Sequence, residues 1–493
     1  AGLGSRLLLG GSLSAALFFG LHPLRVEVVA WASALPYVLA LACLLVSVLV
    51  YLRGNDTVGY LAALAAYAAS LLCRPIALGF PLVVFGLELA RSRTWRRALG
   101  QSAPFALLAG AAFTLEVGAR TFADWERVGL GPRLSATAMA PIVYLTRELA
   151  PFRLSPLDVS AIAPETSWLG LLAGSALLIA AALLAFKTAR DHPWPVLAAG
   201  AYLALLAPAM GLAPSGLQAT ADRYTYLPDV ALALCVGAGF AKAAARWRAA
   251  VAIGAGLALA LGGLSVWQTG FWKDSVTLWT RALELDARND VASYNLALAL
   301  EEAGDRAGAE RHLRETLLLV PEHALARGRL ASLEARRLEQ EAGERAAAGQ
   351  LESAVALLDQ SIEKEPGRMR PHASRGMALA ELGRCAEALR DLETALDLGN
   401  DEVEVASGLA FCLLQTGRLD EALQSAAATA ARHPDEPRVY GALATIQGAA
   451  GRFELAAASA RRGAAVARRL ARSDLAQALE SQAMSYERKS PGR

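Results

Sequence analysis

A ladder of glycines sets the strongest limit on how this chain can fold. Gly270, Gly304, Gly349, Gly383, Gly417 and Gly451 recur through the C-terminal half, and four of the five steps between them are 34 residues. The remaining step, from Gly304 to Gly349, is 45 residues. A small residue stands five places after each glycine: Ser275, Ala309, Ala354, Ala388, Ala422 and Ala456. Pro321, Pro366 and Pro434 close three units at the matching position, and Asn400 takes the place of proline in another. Each component has a physical task. Glycine admits a turn between two helices, a small side chain lets helices approach closely, and proline stops the second helix.

A 34-residue helix–turn–helix period with these residues resembles the tetratricopeptide repeat. The resemblance covers about residues 270–470. Its first unit supplies only a second helix, fused to the end of the apolar segment before it. The eleven extra residues of the long step are about three helical turns, so ARGRLASLEARRLEQEAGERAAAG is expected to be a lengthened helix rather than a loop. The final segment, LARSDLAQALESQAMSYERK, reads as an amphipathic capping helix. Such arrays stack into a curved solenoid whose concave face commonly binds extended peptides, so a protein or peptide partner is expected. The competing reading is that the repeats brace the N-terminal half.

That half is a different material. The 493-residue chain is 55% hydrophobic and 19% charged, with mean hydropathy +0.34. The apolar excess lies before about residue 270, in long runs broken by short charged clusters. A membrane-spanning helix needs about 20 mostly apolar residues. Nine stretches qualify as candidates: approximately 3–20, 34–52, 57–73, 75–90, 101–118, 168–186, 194–211, 228–245 and 249–268. The pair flanking Arg74-Pro75 reads as one broken helix or two short ones, because proline disfavours helix in the residue before it. Residues 134–152 are apolar on one side but carry Arg147 and Glu148, which suits an interfacial helix better than a span.

Basic clusters orient the spans. ARSRTWRR at 90–97, KTAR at 187–190 and KAAARWR at 242–248 all fall on the cytoplasmic side when nine spans alternate. The same alternation puts the loops containing His22, residues 119–166 and residues 221–226 on the opposite side, and delivers the repeats there too. The expected location is therefore a bacterial inner membrane, with the repeats on its non-cytoplasmic face. The net charge of +2 and the scattered arginines, offset by acids, give no signature of nucleic-acid binding. Five cysteines form no metal or redox pattern. Cys43, Cys73 and Cys235 read as small core residues; Cys385 and Cys412 belong to successive repeats, and their spacing of 27 residues does not by itself establish a disulfide. No metal or cofactor is expected.

Charged residues beside a bilayer core mark either a membrane surface or a site. Four such segments occur in order: GLHPLRVEVVAW at 20–31, LLCRPIALGFPLVV around Arg74-Pro75, ADRYTYLP at 221–228, and FWKDSVTLWTRALELD at 271–286. In that order they resemble the tetratricopeptide-repeat O-mannosyltransferase-like proteins and their bacterial relatives. These belong to the membrane glycosyltransferases that use polyprenyl-phosphate sugars. The most specific matches are His22-Pro23 with Glu27 and Trp31, and Asp222-Arg223-Tyr224 with Tyr226 and Pro228. The resemblance implies transfer of a hexose from a polyprenyl-phosphate sugar donor to a hydroxyl of a protein. Such a reaction needs a general base and cationic groups for the departing phosphate. Glu27 and Asp222 are the candidates for base or orienting group. Arg223, followed by Arg25 and His22, are the candidates for the phosphate, arginine offering a fixed fork of donors. Tyr224, Tyr226 and Trp31 would stack on sugar or sit at the interface. The alternative roles are structural: Glu27 paired with Arg25, Asp222 paired with Arg223, and the aromatic rings belting the interface.

The chain departs from that family in two respects. Relatives carry a charged run after the tryptophan, where SALPYVL has none. The class also places its catalytic acid in a loop that would precede Ala1, and Asp124 in TFADWERVG does not match it. The chain starts with alanine, has no basic leader, and is expected to be a fragment unable to catalyse transfer alone. The expected fold class is all-α: a multi-spanning transmembrane helix bundle over 1–268, a tetratricopeptide-repeat α-solenoid over 269–470, and a capping helix and tail over 471–493. Two functions follow from it. One is a membrane glycosyltransferase whose repeats bind the acceptor; the other is a non-enzymatic, membrane-anchored repeat scaffold for protein–protein interaction.

Overall fold

The structure, a computed structural model, describes residues 3–54, 56–119, 130–157, 168–188, 191, 193–211 and 220–489. The chain forms two compact units, Ala1–Asp305 and Arg306–Arg493. The first contains α1 (Leu3–Leu21), α2 (Val26–Ala30), α3 (Leu35–Arg53), α4 (Thr57–Cys73), α5 (Phe80–Ser92), α6 (Trp95–Ala119) and α7 (Leu130–Leu149). It continues through α8 (Trp168–Thr188), α9 (Pro193–Leu206), α10 (Asp229–Arg246), α11 (Ala249–Thr269), α12 (Ser275–Leu285) and α13 (Asp290–Glu302). The second contains α14 (Arg306–Leu319), α15 (Ala324–Ala347), α16 (Leu351–Lys364), α17 (Met369–Glu381) and α18 (Cys385–Asp397). Its remaining helices are α19 (Val403–Gln415), α20 (Leu419–Arg432), α21 (Pro437–Ala449), α22 (Phe453–Arg469) and α23 (Ser473–Glu487).

Each apolar stretch expected to span contains a helix, but the helices differ in length, and residues 75–79 of the 75–90 stretch form turns. Ala32–Arg53, Trp95–Gly118, Trp168–Thr188 and Ala249–Trp272 are long and apolar enough to cross a membrane. The pair Leu8–Leu21 and Pro23–Ala30, bent by 57°, makes a fifth if it counts as one span, while Thr57–Cys73 and Pro193–Ala209 are apolar but shorter. At Arg74-Pro75 the chain makes two helices. Arg74 is extended (φ −163°, ψ 129°), as a residue before proline prefers, and α5 starts six residues later.

Small residues position these helices. A β-carbon on Gly237 would lie 2.3 Å from the carbonyl oxygen of Gly11, so the α1–α10 crossing depends on glycine at that contact. A β-carbon on Gly79 would lie 1.7 Å from the carbonyl oxygen of Ala204, which fixes the entry of α5 against α9. Polar side chains tie α3 to α4: Ser47 Oγ donates to the Ala63 carbonyl and Ser70 Oγ to the Ala40 carbonyl, each at 2.7 Å.

The repeat ladder has a direct conformational cause. Gly304, Gly349, Gly383, Gly417 and Gly451 have φ of +88°, +74°, +75°, +80° and +72°, the left-handed region that glycine adopts without strain. Gly270 departs from the expected pattern: its φ is −57°, and helix α11 runs into a short 3-10 turn there. Ser275, five places later, is accordingly exposed, whereas Ala309, Ala354, Ala388, Ala422 and Ala456 are fully buried. The long step is a lengthened helix. α15 has 24 residues where α13, α17, α19 and α21 have 13 each. At the C-terminal end α23 packs on α21 and α22, with Leu479 against Gly441 and Gly463 and Tyr486 against Gly448.

Candidate functional site

The segment after α1 turns sharply because His22 and Pro23 act together. His22 is extended (φ −75°, ψ 131°), and its Nδ1 accepts from the Leu24 backbone N–H at 3.4 Å. Pro23, with its preset φ, opens a 3-10 turn over Pro23–Arg25 that leads into α2. His22, Arg25 and Glu27 are all buried by this turn. A second 3-10 turn, Asp222–Thr225, precedes α10 and buries Asp222, Tyr224 and Thr225. The two turns meet, and helix α7 supplies Arg147 and Glu148 to the same place.

The pairing inside this cluster corrects the one expected from neighbours in sequence. Glu27 does not pair with Arg25. Residues two apart on a helical turn do not face each other. Glu27 instead accepts from the Arg223 backbone N–H at 2.9 Å and from Arg223 Nη1 at 2.5 Å. Asp222 does not pair with Arg223 either, since successive residues of a 3-10 turn point about 120° apart. Its Oδ1 accepts from Arg147 Nη1 at 2.9 Å, and Arg147 Nη2 donates to Thr220 Oγ1 at 3.0 Å. Arg25 Nη2 donates to Asp229 Oδ2 and lies 3.7 Å from Glu148 Oε2. His22 Nε2 is 3.0 Å from the Glu148 carbonyl oxygen, and with Nδ1 accepting it is the donor of that bond.

Arg147, Glu148 and Asp229 belong to the cluster, although their sequence context pointed only to an interfacial helix and a span boundary. Their signal was three ionisable groups at the ends of apolar runs, without any indication of which turn they would meet.

Burial sets the charge states of His22 and Glu148, which lie outside the helices apolar enough to span. It pulls His22 down to about 4, helped by Arg25, so the ring is neutral. It pushes Glu148 up to about 8, with the Asp229 carboxylate beside it adding to the shift. Glu148 therefore carries a proton at neutral pH, and the two carboxyl groups need one: ionised, both are acceptors only. Arg25 Nε and Nη1 and the Tyr202 hydroxyl are buried without a hydrogen-bond partner. Buried polar atoms in that state are costly and concentrate where a structure serves something other than stability.

The aromatic candidates surround the arginines. The Arg223 guanidinium carbon lies 5.3 Å from the Trp31 ring and 4.9 Å from the Tyr224 ring. That of Arg25 lies 4.8 Å from Phe19 and 5.8 Å from Tyr226. Tyr224 and Tyr226 are buried and contribute cation–π contacts, whereas Trp31 is exposed. All the sequence candidates (His22, Arg25, Glu27, Trp31, Asp222, Arg223, Tyr224 and Tyr226) thus lie in one cluster. Its inner end, Arg25–Glu148–Asp229, keeps unused donors on Arg25; its outer end, Glu27–Arg223–Trp31, is closed by its own ion pair. No group of three or more His, Cys, Asp or Glu residues suited to a metal occurs among the described residues. Asp124 lies outside the described residues.

Residues 379–446 match the family model of the tetratricopeptide repeat. No curated protein matches this chain. Among solved structures, YrrB, a tetratricopeptide-repeat protein with an unusual peptide-binding site, is 18% identical, over 41% of this chain and 97% of its own, with a TM-score of 0.29. A MamA fragment from Desulfovibrio magneticus is 18% identical over 32% of this chain and 98% of its own, with a TM-score of 0.26. A thermophilic tetratricopeptide-repeat protein of Thermus thermophilus is 27% identical over 37% of this chain and 94% of its own, with a TM-score of 0.19. None of these matches supports the O-mannosyltransferase-like resemblance of the N-terminal half. The family match over residues 379–446 spans the positive-φ glycine turns at Gly383, Gly399 and Gly417, and so agrees with the tetratricopeptide-repeat reading of that stretch.

Proposed function

We propose that this chain is a membrane-anchored scaffold whose tetratricopeptide repeats bind a protein or peptide. The observation that carries this reading is the array itself, a run of stacked helix pairs over Arg306–Arg493 with a family match inside it. Repeats of this kind hold extended partners on a continuous surface. Here Phe411, on the first helix of its pair, is a large apolar side chain left 47% exposed. Anchoring is supported by the outward faces of α8 and α11, where Leu172, Leu183, Phe186, Leu257 and Leu259 are exposed and would be costly in water. The basic clusters at 90–97, 187–190 and 242–248 favour a cytoplasmic location for those loops, with the repeats on the other side. Two measurements test the reading. A photo-crosslinking residue at position 411 should give discrete protein adducts in intact cells, and carbonate washing should leave the chain in the membrane pellet. Absence of adducts, or release by carbonate, would refute the corresponding half of the proposal.

The buried cluster favours a second reading, hexose transfer from a polyprenyl-phosphate donor to a protein hydroxyl. In it Arg25, His22 and Arg223 hold phosphate, Glu27 or Asp222 serves as base, and Trp31, Tyr224 and Tyr226 contact the sugar. The supporting observation is the buried guanidinium of Arg25, whose Nε and Nη1 make no hydrogen bond within the cluster. Reconstitution with polyprenyl-phosphate hexose and a Ser/Thr-rich peptide is the test. No transfer, even by a chain extended upstream of Ala1, would leave the scaffold reading alone.

A further inference from the structure

Two thiols meet between consecutive repeats. Cys385 is the first residue of α18, the second helix of its pair, and Cys412 lies on α19, the first helix of the next. They are 27 residues apart in sequence, yet their Sγ atoms are 2.7 Å apart. Both are buried, Cys385 at 6% exposure and Cys412 at 0%. Leu389, Leu392, Leu409 and Leu413 belong to the same core, and no third metal-ligating group joins the thiols among the described residues. A sulfur pair this close needs a shift of under about an ångström to reach the bonded length of about 2.05 Å.

We propose that Cys385 and Cys412 are a covalent modification site, joining as a disulfide that staples one repeat to the next. The oxidant is a disulfide of the glutathione or thiol–disulfide oxidoreductase class. One cysteine thiolate attacks a sulfur of that disulfide, forming a mixed disulfide and expelling the first thiolate of the oxidant. The second cysteine, having lost its proton, attacks the protein sulfur of the mixed disulfide. The Cys385–Cys412 bond forms and the second thiolate leaves. Two thiols lose two protons and two electrons, and the oxidant is reduced to two thiols.

Burial decides when this happens. It pushes the Cys412 thiol up to about 12, with Cys385 beside it adding to the shift, so the reactive thiolate is scarce in the folded repeat. No oxidant reaches a fully buried sulfur without local opening. The bond therefore forms as the repeats fold or breathe, and it then resists reductants for the same reason. An oxidising, non-cytoplasmic compartment favours it. The inference stands on the repeat core and does not depend on what the repeats bind.

The test uses the full chain in detergent, incubated with oxidised glutathione in two samples. One stays native; the other passes through a urea step that opens the repeats and is returned to buffer. Free thiols are then alkylated under denaturing conditions and peptides are mapped by mass spectrometry. The expected result is a Cys385–Cys412 linked peptide, formed slowly in the native sample and at least tenfold faster through the urea step. The repeat transition should melt higher oxidised than reduced, and Cys412→Ala, which removes only the sulfur and whose fold is checked by circular dichroism, should lose that redox dependence. Separate alkylation of Cys385 and Cys412 in both samples would overturn the proposal, as would a Tm that responds to oxidation equally in Cys412→Ala.

Discussion

Arg223 and Glu27 are 196 residues apart, yet they form a close ion pair within the N-terminal cluster, at 2.5 Å. Removing one partner of a buried pair leaves the other uncompensated, which typically costs about 3–5 kcal/mol. Arg223→Ala should therefore destabilise the N-terminal unit by that amount, measured as thermal unfolding in detergent. Adding Glu27→Gln should recover part of the loss, and a double-mutant cycle showing additive effects would disprove the pairing. Glu148 makes a pH prediction whose sign follows from its raised value. Its carboxyl is protonated in the fold up to about pH 8 but ionises near 4.5 when unfolded, so the folded state binds more protons across that range. Stability falls as pH rises. His22, neutral in the fold down to about 4 and ordinarily titrating at 6.5, acts in the opposite direction below 6.5. Above pH 6.5 the carboxyl effect is alone, so stability should drop by up to about 2 kcal/mol between pH 6.5 and 8. Glu148→Gln should flatten that slope, and an unchanged slope would place the proton elsewhere.

Among the elements, the helix pairs divide glycines that turn the chain from one that does not. Gly383 and Gly417 have φ of +75° and +80°, so alanine there should cost about 1 kcal/mol through backbone strain. Gly270 is helical and has open space where a β-carbon would go, so Gly270→Ala should be neutral or slightly stabilising. Comparing melting temperatures of the three variants checks the distinction; equal losses would mean that Gly270 turns the chain as well. The buried alanines test the packing from the other side. Ala388 and Ala422 have no exposed surface, and leucine at either should cost about 1–3 kcal/mol by overpacking. An unchanged transition for both would show that the helices do not meet there.

On the scale of the whole molecule, the two units place different demands on solvent. The first turns leucines of α8 and α11 and Phe186 outward, and the second buries its apolar faces between successive helices. Because each repeat buries its apolar face on its neighbours, residues 306–493 expressed alone should be soluble, largely helical and cooperative in melting. Circular dichroism and sedimentation of that fragment check this; aggregation or a low helical signal would mean that the array needs the rest of the chain.

The sequence by itself determined the features that depend on residues close together in the chain. Glycines mostly 34 residues apart, an alanine five places on and a helix-stopping proline are local instructions; the turns and buried alanines follow from them, and the 24-residue α15 from the one longer step. The Arg74-Pro75 break was legible for the same reason, since proline acts on the residue before it. Gly270 shows the limit of such reading: it keeps the period but lies where an apolar helix continues, and the stronger local signal prevails. Tertiary structure alone decided which charges meet. Adjacent residues on a 3-10 turn or a short helix point apart, so His22, Arg25, Glu27, Asp222 and Arg223 each took a partner from a different segment. The sequence showed that these groups lay near the ends of apolar runs. Only the packing of α7 and α10 beside the two turns could bring Arg147, Glu148 and Asp229 to them, because that choice depends on contacts between residues more than 70 positions apart.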